Sequence, residues 1–451
     1  MMTPTDPLGA SPPAPTFRQA LRIWIKVALL SFGGPAGQIA VMHRLVVEEK
    51  RWIDERRFLT ALNYTMVLPG PEAQQLATYL GWLLHGIKGG LVAGTLFVLP
   101  GFLAILVLSI LYAFYRDLAA VEALFYGIKP AVAAVVVAAV VHIGKKTLRN
   151  WILILLVATA FVAIFFLNFP FPFIIIGAAL IGWLGGRRHP EIFLPPDAPG
   201  KDVAEEAEPP PVSGLRSLRL LAIWLPLWFA PLVLLALFFG PEHLLVTQGI
   251  FFSKMAVVTF GGAYVVLSYV AQRAVEDYGW LAPGEMLDGL GMAETIPGPL
   301  IQVVQFVGFM GAFRLAGELP PLAAALLASV VVTWVTFVPC FLWIFLGASY
   351  IERLRSNRSI NTALAAVTAA VVGVILNLAL WFSLNTLFGR LIEHYTYGVR
   401  LLIPVWNTLD PPALLLAATA FVALFRFKTG LIPTLAGSAG IGLLYRLFLH
   451  P

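Results

Sequence analysis

Long apolar stretches recur along the whole chain and limit what it can fold into. Trp151–Leu167 and Leu218–Phe239 are examples, in a chain that is 59% hydrophobic and only 12% charged. An α-helix needs about 20 apolar residues to cross a bilayer. Because lipid offers no hydrogen-bond partners, such stretches must be helices whose backbone groups satisfy each other, and they lack the alternation of barrel strands. We therefore expect an all-α polytopic membrane protein.

The charge and the cysteine content exclude several functions. The net charge is +6, but the basic residues lie in short loops beside the apolar stretches, which is typical of topology signals rather than of nucleic-acid contacts. Cys340 is the only cysteine, which excludes disulfides, iron–sulfur clusters and cysteine-rich metal sites. There is no haem-attachment motif and no dinucleotide glycine loop. We expect no metal, no cofactor, no nucleic-acid partner and no enzyme activity such as oxyanion reduction.

One polar segment divides the chain near its middle. Residues 189–217 are rich in proline and acidic residues and poor in apolar ones, which predicts a solvated cytoplasmic linker. The predicted organisation is a disordered tail, a first transmembrane repeat, this linker, an extra connecting transmembrane helix and a second, inverted transmembrane repeat. The other boundaries are 1–16, 17–188, 218–242 and 243–451.

An internal duplication relates the two halves. A shift of 228 residues aligns Trp24–Leu80 with Phe252–Gly308 without a gap, and 14 of the 57 aligned positions are identical. The identities include Lys, Trp, Pro and Gln, which shared apolar composition cannot match in register. Both copies contain a Phe-Gly-Gly motif and a Pro-Gly-Pro motif.

The duplication and the apolar stretches together give a helix map. The first two apolar segments of each half are interrupted by glycine and proline, and cleaner spans follow them. The interrupted segments are 17–42, 58–85, 245–270 and 286–313, and the spans are 89–115, 124–144, 151–167, 170–186, 218–239, 320–348, 360–384, 411–426 and 429–447.

Basic residues in short loops indicate the orientation, because such loops stay in the cytoplasm. The edges of the linker carry Arg187, Arg188, Arg216 and Arg219, and we therefore place the linker in the cytoplasm. Counting spans puts the other basic loops on the same side, with Lys145, Lys146, Arg149, Arg353, Arg355, Arg358, Arg426 and Lys428. Of the duplicated loops, 43–57 contains five Lys or Arg residues, whereas 271–285 contains one. This opposite bias indicates two halves of inverted topology.

The basic loop 43–57 also favours re-entrant hairpins. If 17–42 crossed the membrane completely, this loop would lie outside, against the charge rule. A hairpin broken at Gly33, Gly34 and Pro35 returns it to the cytoplasm. Two full crossings in place of two hairpins leave all later orientations unchanged, so both arrangements stay open and we favour the hairpins.

The two Pro-Gly-Pro motifs predict helix breaks that bind an anion. Proline removes a backbone donor and glycine lets the chain bend, so neither Pro69-Gly70-Pro71 nor Pro297-Gly298-Pro299 fits inside a continuous helix. Proline is tolerated in the first turn, so a new helix is expected to begin after each motif. Its free N–H groups and positive dipole end attract an anion. A simple packing kink is the alternative, but two copies in register favour a binding site.

Polar side chains near the breaks complete the predicted site. Gln74, Gln75, Gln302 and Gln305 carry amide donors suited to an oxyanion. Lys26 and Lys254 lie seven residues, about two helical turns, before Gly33 and Gly261. A lysine at membrane depth is costly and therefore a functional candidate, although Lys26 could also extend to the interface. Gly34, Gly262 and Thr295 belong to the same candidate set.

Two acidic residues flank the motifs. Glu72 follows the first Pro-Gly-Pro and Glu294 precedes the second. A carboxyl at membrane depth can carry protons and couple transport to a proton gradient. A role in capping a helix start is the alternative for Glu72.

These motifs together resemble the long, two-domain members of the chromate transporter (CHR) family. The residues that carry the resemblance are Phe32–Pro35, Leu68–Gln75, Thr259–Gly262 and Glu294–Pro299, and it covers both halves outside the tail and the linker. The resemblance implies a multi-pass inner-membrane protein of a bacterium or archaeon that exports chromate, with sulfate as a competing cargo. Lipid and the oxyanion are then its partners, and a homodimer is left open. An uptake permease or channel for sulfate or another oxyanion is the alternative.

Overall fold

The computed structural model describes residues 15–32, 34–66, 68–194, 214–260, 263–282, 284–347 and 358–449. The prediction of a tail over 1–16 and most of the predicted linker fall outside these ranges. The helices of the first half, in chain order, are α1 (Phe17–Leu30), α2 (Gly34–His43), α3 (Glu55–Thr65), α4 (Glu72–Tyr115), α5 (Ala119–Thr147), α6 (Trp151–Phe165), α7 (Phe171–Arg188) and α8 (Pro190–Phe193).

After the linker, α9 (Gly214–Phe239) leads into the second half. The helices there are α10 (Leu244–Val258), α11 (Ala263–Gln272), α12 (Glu285–Thr295), α13 (Val303–Arg314), α14 (Pro321–Gly347), α15 (Arg358–Leu387), α16 (Pro411–Phe425) and α17 (Leu431–Leu444). A 3₁₀ turn at Leu300–Gln302 precedes α13, and π-helical turns follow both α2 and α11.

Within the described residues, seven helices are long and apolar enough to cross a membrane. They include α4, α5, α9, α14 and α15, and each of these five helices has 26 residues or more in the structure. Large apolar side chains are exposed along several of them, for example Val107 on α4 and Leu237 on α9. Exposed apolar surface of this extent is expected where helices face lipid. The chain is therefore a multi-pass helical membrane protein, as its composition predicts.

The duplication is visible in the helix order. A shift of about 228 residues carries α1, α2 and α3 onto α10, α11 and α12, and it carries the first π-helical turn onto the second. The helices also end at the predicted interruptions, beside Ser31, Thr259 and both Pro-Gly-Pro motifs. The re-entrant arrangement within the bilayer stays a prediction. The position equivalent to Arg314, where α13 ends, is Gly86, where α4 bends sharply with φ +60°.

Contacts between connections define two ends of the bundle. At one of them, the connection after α6 meets the end of α11, where Gln272 donates a hydrogen bond to Asn168. The other end holds the linker edge, where Asn150 before α6 donates to the Ile192 carbonyl at 2.6 Å. We call these the 168 end and the 192 end. The 192 end carries the basic residues of the linker edge, which the charge rule assigns to the cytoplasm.

A β-hairpin at the 168 end departs from the all-helical expectation. Strands β1 (Leu391–Thr396) and β2 (Val399–Pro404) pair antiparallel between α15 and α16. The Arg400 N–H donates to the Phe166 carbonyl at 2.6 Å and fixes the hairpin on the first half. The hairpin was missed because two six-residue strands outside the apolar spans give little periodic signal.

The centre of the molecule is formed by α12 and α13. Nearly every residue of both helices is buried, including residues on opposite faces. A helix that is buried all round lies in the core of a protein. The second Pro-Gly-Pro motif joins these two helices and therefore lies at the centre of the fold.

Candidate functional site

The two Pro-Gly-Pro motifs form reciprocal contacts across the halves. The Gly70 N–H donates to the Thr259 carbonyl at 2.8 Å, and the Gly298 N–H donates to the Ser31 carbonyl at 2.9 Å. Gly298 is the equivalent of Gly70, and Thr259 is the equivalent of Ser31. Each motif therefore caps the end of a broken helix in the opposite half. Such mutual pairing is the signature of a two-fold relationship.

A second reciprocal contact surrounds each central glycine. Gly70 lies beside Cys340 in α14, and Gly298 lies against Gly101 in α4. In each helix, the residue in contact directly follows a proline: Cys340 follows Pro339, and Gly101 follows Pro100. The glycines have φ angles of +127° and +112°, which side chains rarely adopt. Glycine is required at both positions because the conformation and the closeness of the packing both oppose a Cβ atom.

New helices begin directly after both motifs, as predicted. Helix α4 starts at Glu72 after Pro71, and the 3₁₀ turn that leads into α13 starts after Pro299. Neither start has a side chain that caps its N–H groups, in contrast to α1, α3 and α6, which are capped by Thr16, Asp54 and Asn150. Uncapped first-turn N–H groups keep the partial positive charge that attracts an anion.

The four predicted glutamines come together around the motifs and are fully buried. Each amide nitrogen donates at least one hydrogen bond to a protein acceptor. Gln75 donates to the Pro69 carbonyl at 2.7 Å, and Gln305 donates to the Phe102 carbonyl at 3.1 Å. Gln302 donates to Gln305 at 2.6 Å, and Gln74 donates to the Thr78 hydroxyl at 3.2 Å. The predicted donors are therefore occupied by the protein in this conformation.

The amide oxygens of three of these glutamines have no partner among the described residues. They are the Oε1 atoms of Gln74, Gln75 and Gln302. A buried acceptor without a donor costs about 1–3 kcal/mol. These unpaired oxygens favour rearrangement. Rotation of an amide group can give its oxygen a donor and release its N–H groups from their present acceptors. The glutamine cluster therefore contains hydrogen-bonding groups that are unpaired in this arrangement.

The only cavity that touches a motif, among the cavities described, is small and apolar. It is lined by Gly70, Pro71, Thr259 and Val266, among others, and has room for about one water molecule. A five-atom oxyanion does not fit. We call this closely packed arrangement of the motifs the closed conformation.

Gln38 is a buried residue of this region that sequence reasoning missed. Its amide donates to the Gly298 carbonyl at 2.6 Å, and its side chain is buried. The equivalent residue in the second half is Val266, which lines the small cavity beside Gly70. The only signal in the sequence was a glutamine within an apolar interrupted segment. It was weak because Gln38 is not one of the residues identical in both halves.

The acidic candidates and Thr295 lie next to the motifs. Glu294 is buried and accepts a hydrogen bond from Tyr264, while its second oxygen has no partner in the described part of the chain. Glu72 is partly buried at the first position of α4. Thr295 is exposed, and its hydroxyl donates to the Met292 carbonyl at 2.8 Å. Of the two carboxyls, Glu294 is held more completely inside the protein.

The two lysines lie on the surface rather than with the glutamines. The Lys26 side chain is 50% exposed, and its Nζ is 3.6 Å from Glu49. Lys254 is exposed on α10. Gly34 begins α2 with φ +72°, whereas the predicted residues Gly33, Gly261 and Gly262 lie outside the described ranges. Among the described residues, no three His, Cys, Asp or Glu side chains are grouped as metal ligands.

Comparison with known proteins gives a family match over both halves. The profile of the family described as "Chromate transporter" matches residues 18–183 and 246–443. The chain is 28% identical to the chromate transport protein of Cupriavidus metallidurans, over 99% of this chain and 98% of that protein. It is 33% identical to the chromate transport protein of Pseudomonas aeruginosa, over 81% of each.

A probable chromate transport protein of Synechococcus elongatus is 27% identical, over 90% of this chain and 94% of that protein. No solved structure gives a significant match. The two matched segments correspond to the two halves that the duplication defines, and the linker and α9 lie between them.

Proposed function

This chain belongs to the chromate transporter family, and from this premise we propose that it is a secondary transporter that exports chromate across the plasma membrane. Family membership supports a role in chromate transport, and the printed names of its relatives point to a transporter rather than an enzyme. The outward direction, the coupling ion, sulfate as a second cargo and the location of the site are parts of the proposal. A homodimer stays an untested prediction.

The reciprocal pairing of the two motifs is the observation that carries the proposed site. Gly70 and Gly298 hold the two uncapped helix starts in equivalent positions across the halves. Chromate is a tetrahedral dianion, and two helix N-termini related by a two-fold axis supply matching partial positive charges. The proposed ligands are the backbone at 69–71 and 297–299 together with Gln74, Gln75, Gln302 and Gln305.

Opening of the halves is the proposed step that prepares this site. In the closed conformation the amide nitrogens donate to protein carbonyl and hydroxyl oxygens, and three amide oxygens have no partner among the described residues. When the halves separate, rotation of the amides turns their N–H groups toward the anion. The site then binds the dianion without a permanent salt bridge, which favours release on the opposite side. Lys26 and Lys254 are left outside the proposed site because both side chains are exposed.

Glu294 is the proposed proton carrier, with Glu72 as the second candidate. Glu294 lies three residues before Pro297, is buried and has one unpaired oxygen. A buried carboxyl beside a moving site can gain a proton on one side of the membrane and lose it on the other. Because Tyr264 on α11 donates a hydrogen bond to Glu294, movement of α11 would change how readily this carboxyl binds a proton.

A double substitution tests the site. Cells that express Gln74→Leu with Gln302→Leu should accumulate chromate, whereas cells with the wild-type protein should keep their chromate content low. We expect the double variant to lose about tenfold or more in export. Leucine cannot form the hydrogen bonds of glutamine, so the buried polar groups of the substrate would be left unpaired. Gln248→Leu is the matched control, since Gln248 is an equally buried glutamine that donates to the Gly308 carbonyl away from the motifs.

Equal chromate content in the double variant and the wild type, at equal expression, would reject the site. Inverted vesicles loaded from outside separate export from uptake, since an exporter accumulates labelled chromate in them. Competition by unlabelled sulfate in the same vesicles tests the second cargo. If a protonophore leaves the chromate flux unchanged, the result would favour a channel over a proton-coupled carrier.

A further inference from the structure

A charged cluster at the 168 end is independent of the Pro-Gly-Pro motifs. Two acidic residues of α12, Glu285 and Asp288, lie in the interface with the first half, and both side chains are nearly buried, with 6% and 4% exposure. Their partners are three cations that are 27–39% exposed. The cations therefore lie toward solvent, and the carboxylates lie beneath them.

Glu285 connects the halves through arginines. It pairs with Arg116, at the end of α4 in the first half, and with Arg314, at the end of α13 in the second. The same carboxylate accepts a hydrogen bond from the Ala282 N–H at 2.8 Å. Glu285 therefore links the end of α4 to α12 and α13, while Arg314 and the Ala282 N–H hold the same carboxylate within the second half.

Asp288 makes a second connection one helical turn further along α12. It accepts a hydrogen bond from the Tyr112 hydroxyl at 2.7 Å, and the Lys129 Nζ lies 3.4 Å from the same oxygen. Tyr112 belongs to α4 and Lys129 to α5, so both partners come from the first half. The other oxygen of Asp288 is buried without a partner in the described structure.

The packing beneath these ion pairs is close. Gly291 of α12 lies against Ile128 and Val132 of α5, where a Cβ atom would come within 2.5 Å of the Ile128 side chain. Helix α12 leads directly to the second Pro-Gly-Pro motif. Separation of α12 from α4 and α5 would therefore open a route from the 168 end to the proposed site.

We propose that the pairing of Glu285 and Asp288 with Arg116 and Lys129 is a gate that closes the 168 end of the transporter. The proposal rests on the proposed function, because it assigns the gate to the path of the oxyanion. When the gate opens, Arg116 and Lys129 of the first half part from the two acids of α12, and Arg116 keeps its contact with Asp117. Because the charge rule assigns the 192 end to the cytoplasm, the 168 end is the exit side of an exporter, and opening of the gate lets the oxyanion leave there.

The duplication supports a specialised role for these residues. The positions in the first half that correspond to Glu285 and Asp288 are Arg57 and Thr60. The repeated scaffold therefore does not require acids at these positions. Helix α12 also makes an uncharged contact with the first half, at Gly291 against Ile128.

Labelling of Cys340 tests the gate without a transport assay. Cys340 is fully buried beside Gly70, so its reaction with a membrane-impermeant maleimide reports access to the motifs. The double variant Glu285→Gln with Asp288→Asn removes both charges and keeps hydrogen-bond acceptors of the same shape. We expect its Cys340 to react about tenfold faster or more from the 168 end, because opening no longer breaks buried ion pairs.

Two controls define the result. Arg273→Gln with Asp277→Asn removes an exposed ion pair at the same end and should leave the labelling rate unchanged. Tyr397→Cys in a Cys340→Ala background marks the membrane side of the 168 end, since Tyr397 is fully exposed on the hairpin. The reagent is then applied to intact spheroplasts and to inside-out vesicles.

An increase confined to the side that labels Tyr397→Cys supports the gate. An equal increase from both sides would indicate general loosening and would overturn the proposal, as would an unchanged rate in a folded variant. Asp288→Asn alone keeps the Glu285 bridge and should give an intermediate increase, which supplies a second test if the double variant does not fold. Because labelling needs no chromate, a failed gate and a failed chromate function give different results.

Discussion

The two Pro-Gly-Pro motifs have matching backbones but different surroundings. Both donate a backbone hydrogen bond to a broken helix of the opposite half. Around Gly298, Gln38 donates to the carbonyl and the neighbouring atoms are backbone atoms of α4. Around Gly70, the equivalent of Gln38 is Val266, a small cavity remains, and the neighbours are side chains. Duplication has preserved the backbone contact, while the side chains have diverged.

The difference teaches which side of the site is free to move. A motif held by an extra side-chain hydrogen bond and packed against backbone resists displacement, and a motif beside a cavity has room to shift. We therefore expect the second motif to be the more rigid of the two. Four predictions can break or sharpen this comparison.

Substitution of the central glycines should give the largest effect. Gly70→Ala and Gly298→Ala each force a side chain into a backbone conformation that costs about 1–3 kcal/mol. Cys340→Ala should recover part of the loss in the Gly70 variant, because the Cys340 sulfur is among the nearest atoms there. It should recover nothing in the Gly298 variant. The melting temperature of each purified protein in detergent measures both effects, and equal recovery would contradict the difference.

Gln38→Leu should give the next largest effect. It removes the side-chain donor of the buried Gly298 carbonyl, which costs about 1–3 kcal/mol. The mirror control is Val266→Leu, where the adjoining cavity accepts the added methylene at a cost below about 1.5 kcal/mol. A similar fall in melting temperature for both variants would show that the hydrogen bond does not distinguish the motifs.

Val266→Gln should have a smaller effect. If the halves match closely, the new amide reaches the Gly70 carbonyl as Gln38 reaches Gly298, and stability changes by about 1 kcal/mol or less because a buried polar group with a partner costs little. Thermal unfolding provides the measurement, with Val266→Thr as a control that cannot reach the carbonyl. A loss beyond that of the threonine control would limit the two-fold relationship to the backbone.

Lys26→Gln should have the smallest effect. The lysine is half exposed and pairs with Glu49, and such a surface pair contributes about 0–1 kcal/mol. In the second half, the equivalent of Glu49 is Asp277, which pairs with Arg273 instead of Lys254. We therefore expect chromate export to change by less than about twofold in Lys26→Gln and in Lys254→Gln. A loss as large as that of the double glutamine variant would return the lysines to the site.

Much of the site was predictable because helix breaks are local events. Proline and glycine interrupt a helix wherever they occur, so the helix starts after Pro71 and Pro299 follow from the residues alone. The burial of Gln74 and Gln302 was predictable from their place beside these breaks. The lysines were harder, because a position on a helix does not say whether its face meets protein or lipid.

The unpredicted contacts all depend on how separate segments pack. Gln38 and Gly298 are 260 residues apart, and nothing in either segment identifies the other. The charged cluster joins α4, α5, α12 and α13, whose sequences show only scattered acids and bases. The β-hairpin is held by a contact between Arg400 and Phe166 that no local pattern records.

By itself, the sequence determined the membrane class, the duplication and the positions of the helix breaks. These follow from composition, from identities in register and from the backbone limits of proline and glycine, all of which act within a few residues. Only the tertiary structure decided which half each motif contacts, where the lysines lie and which charges meet at the 168 end. Those outcomes depend on the packing of helices hundreds of residues apart, and packing is a property of the whole fold.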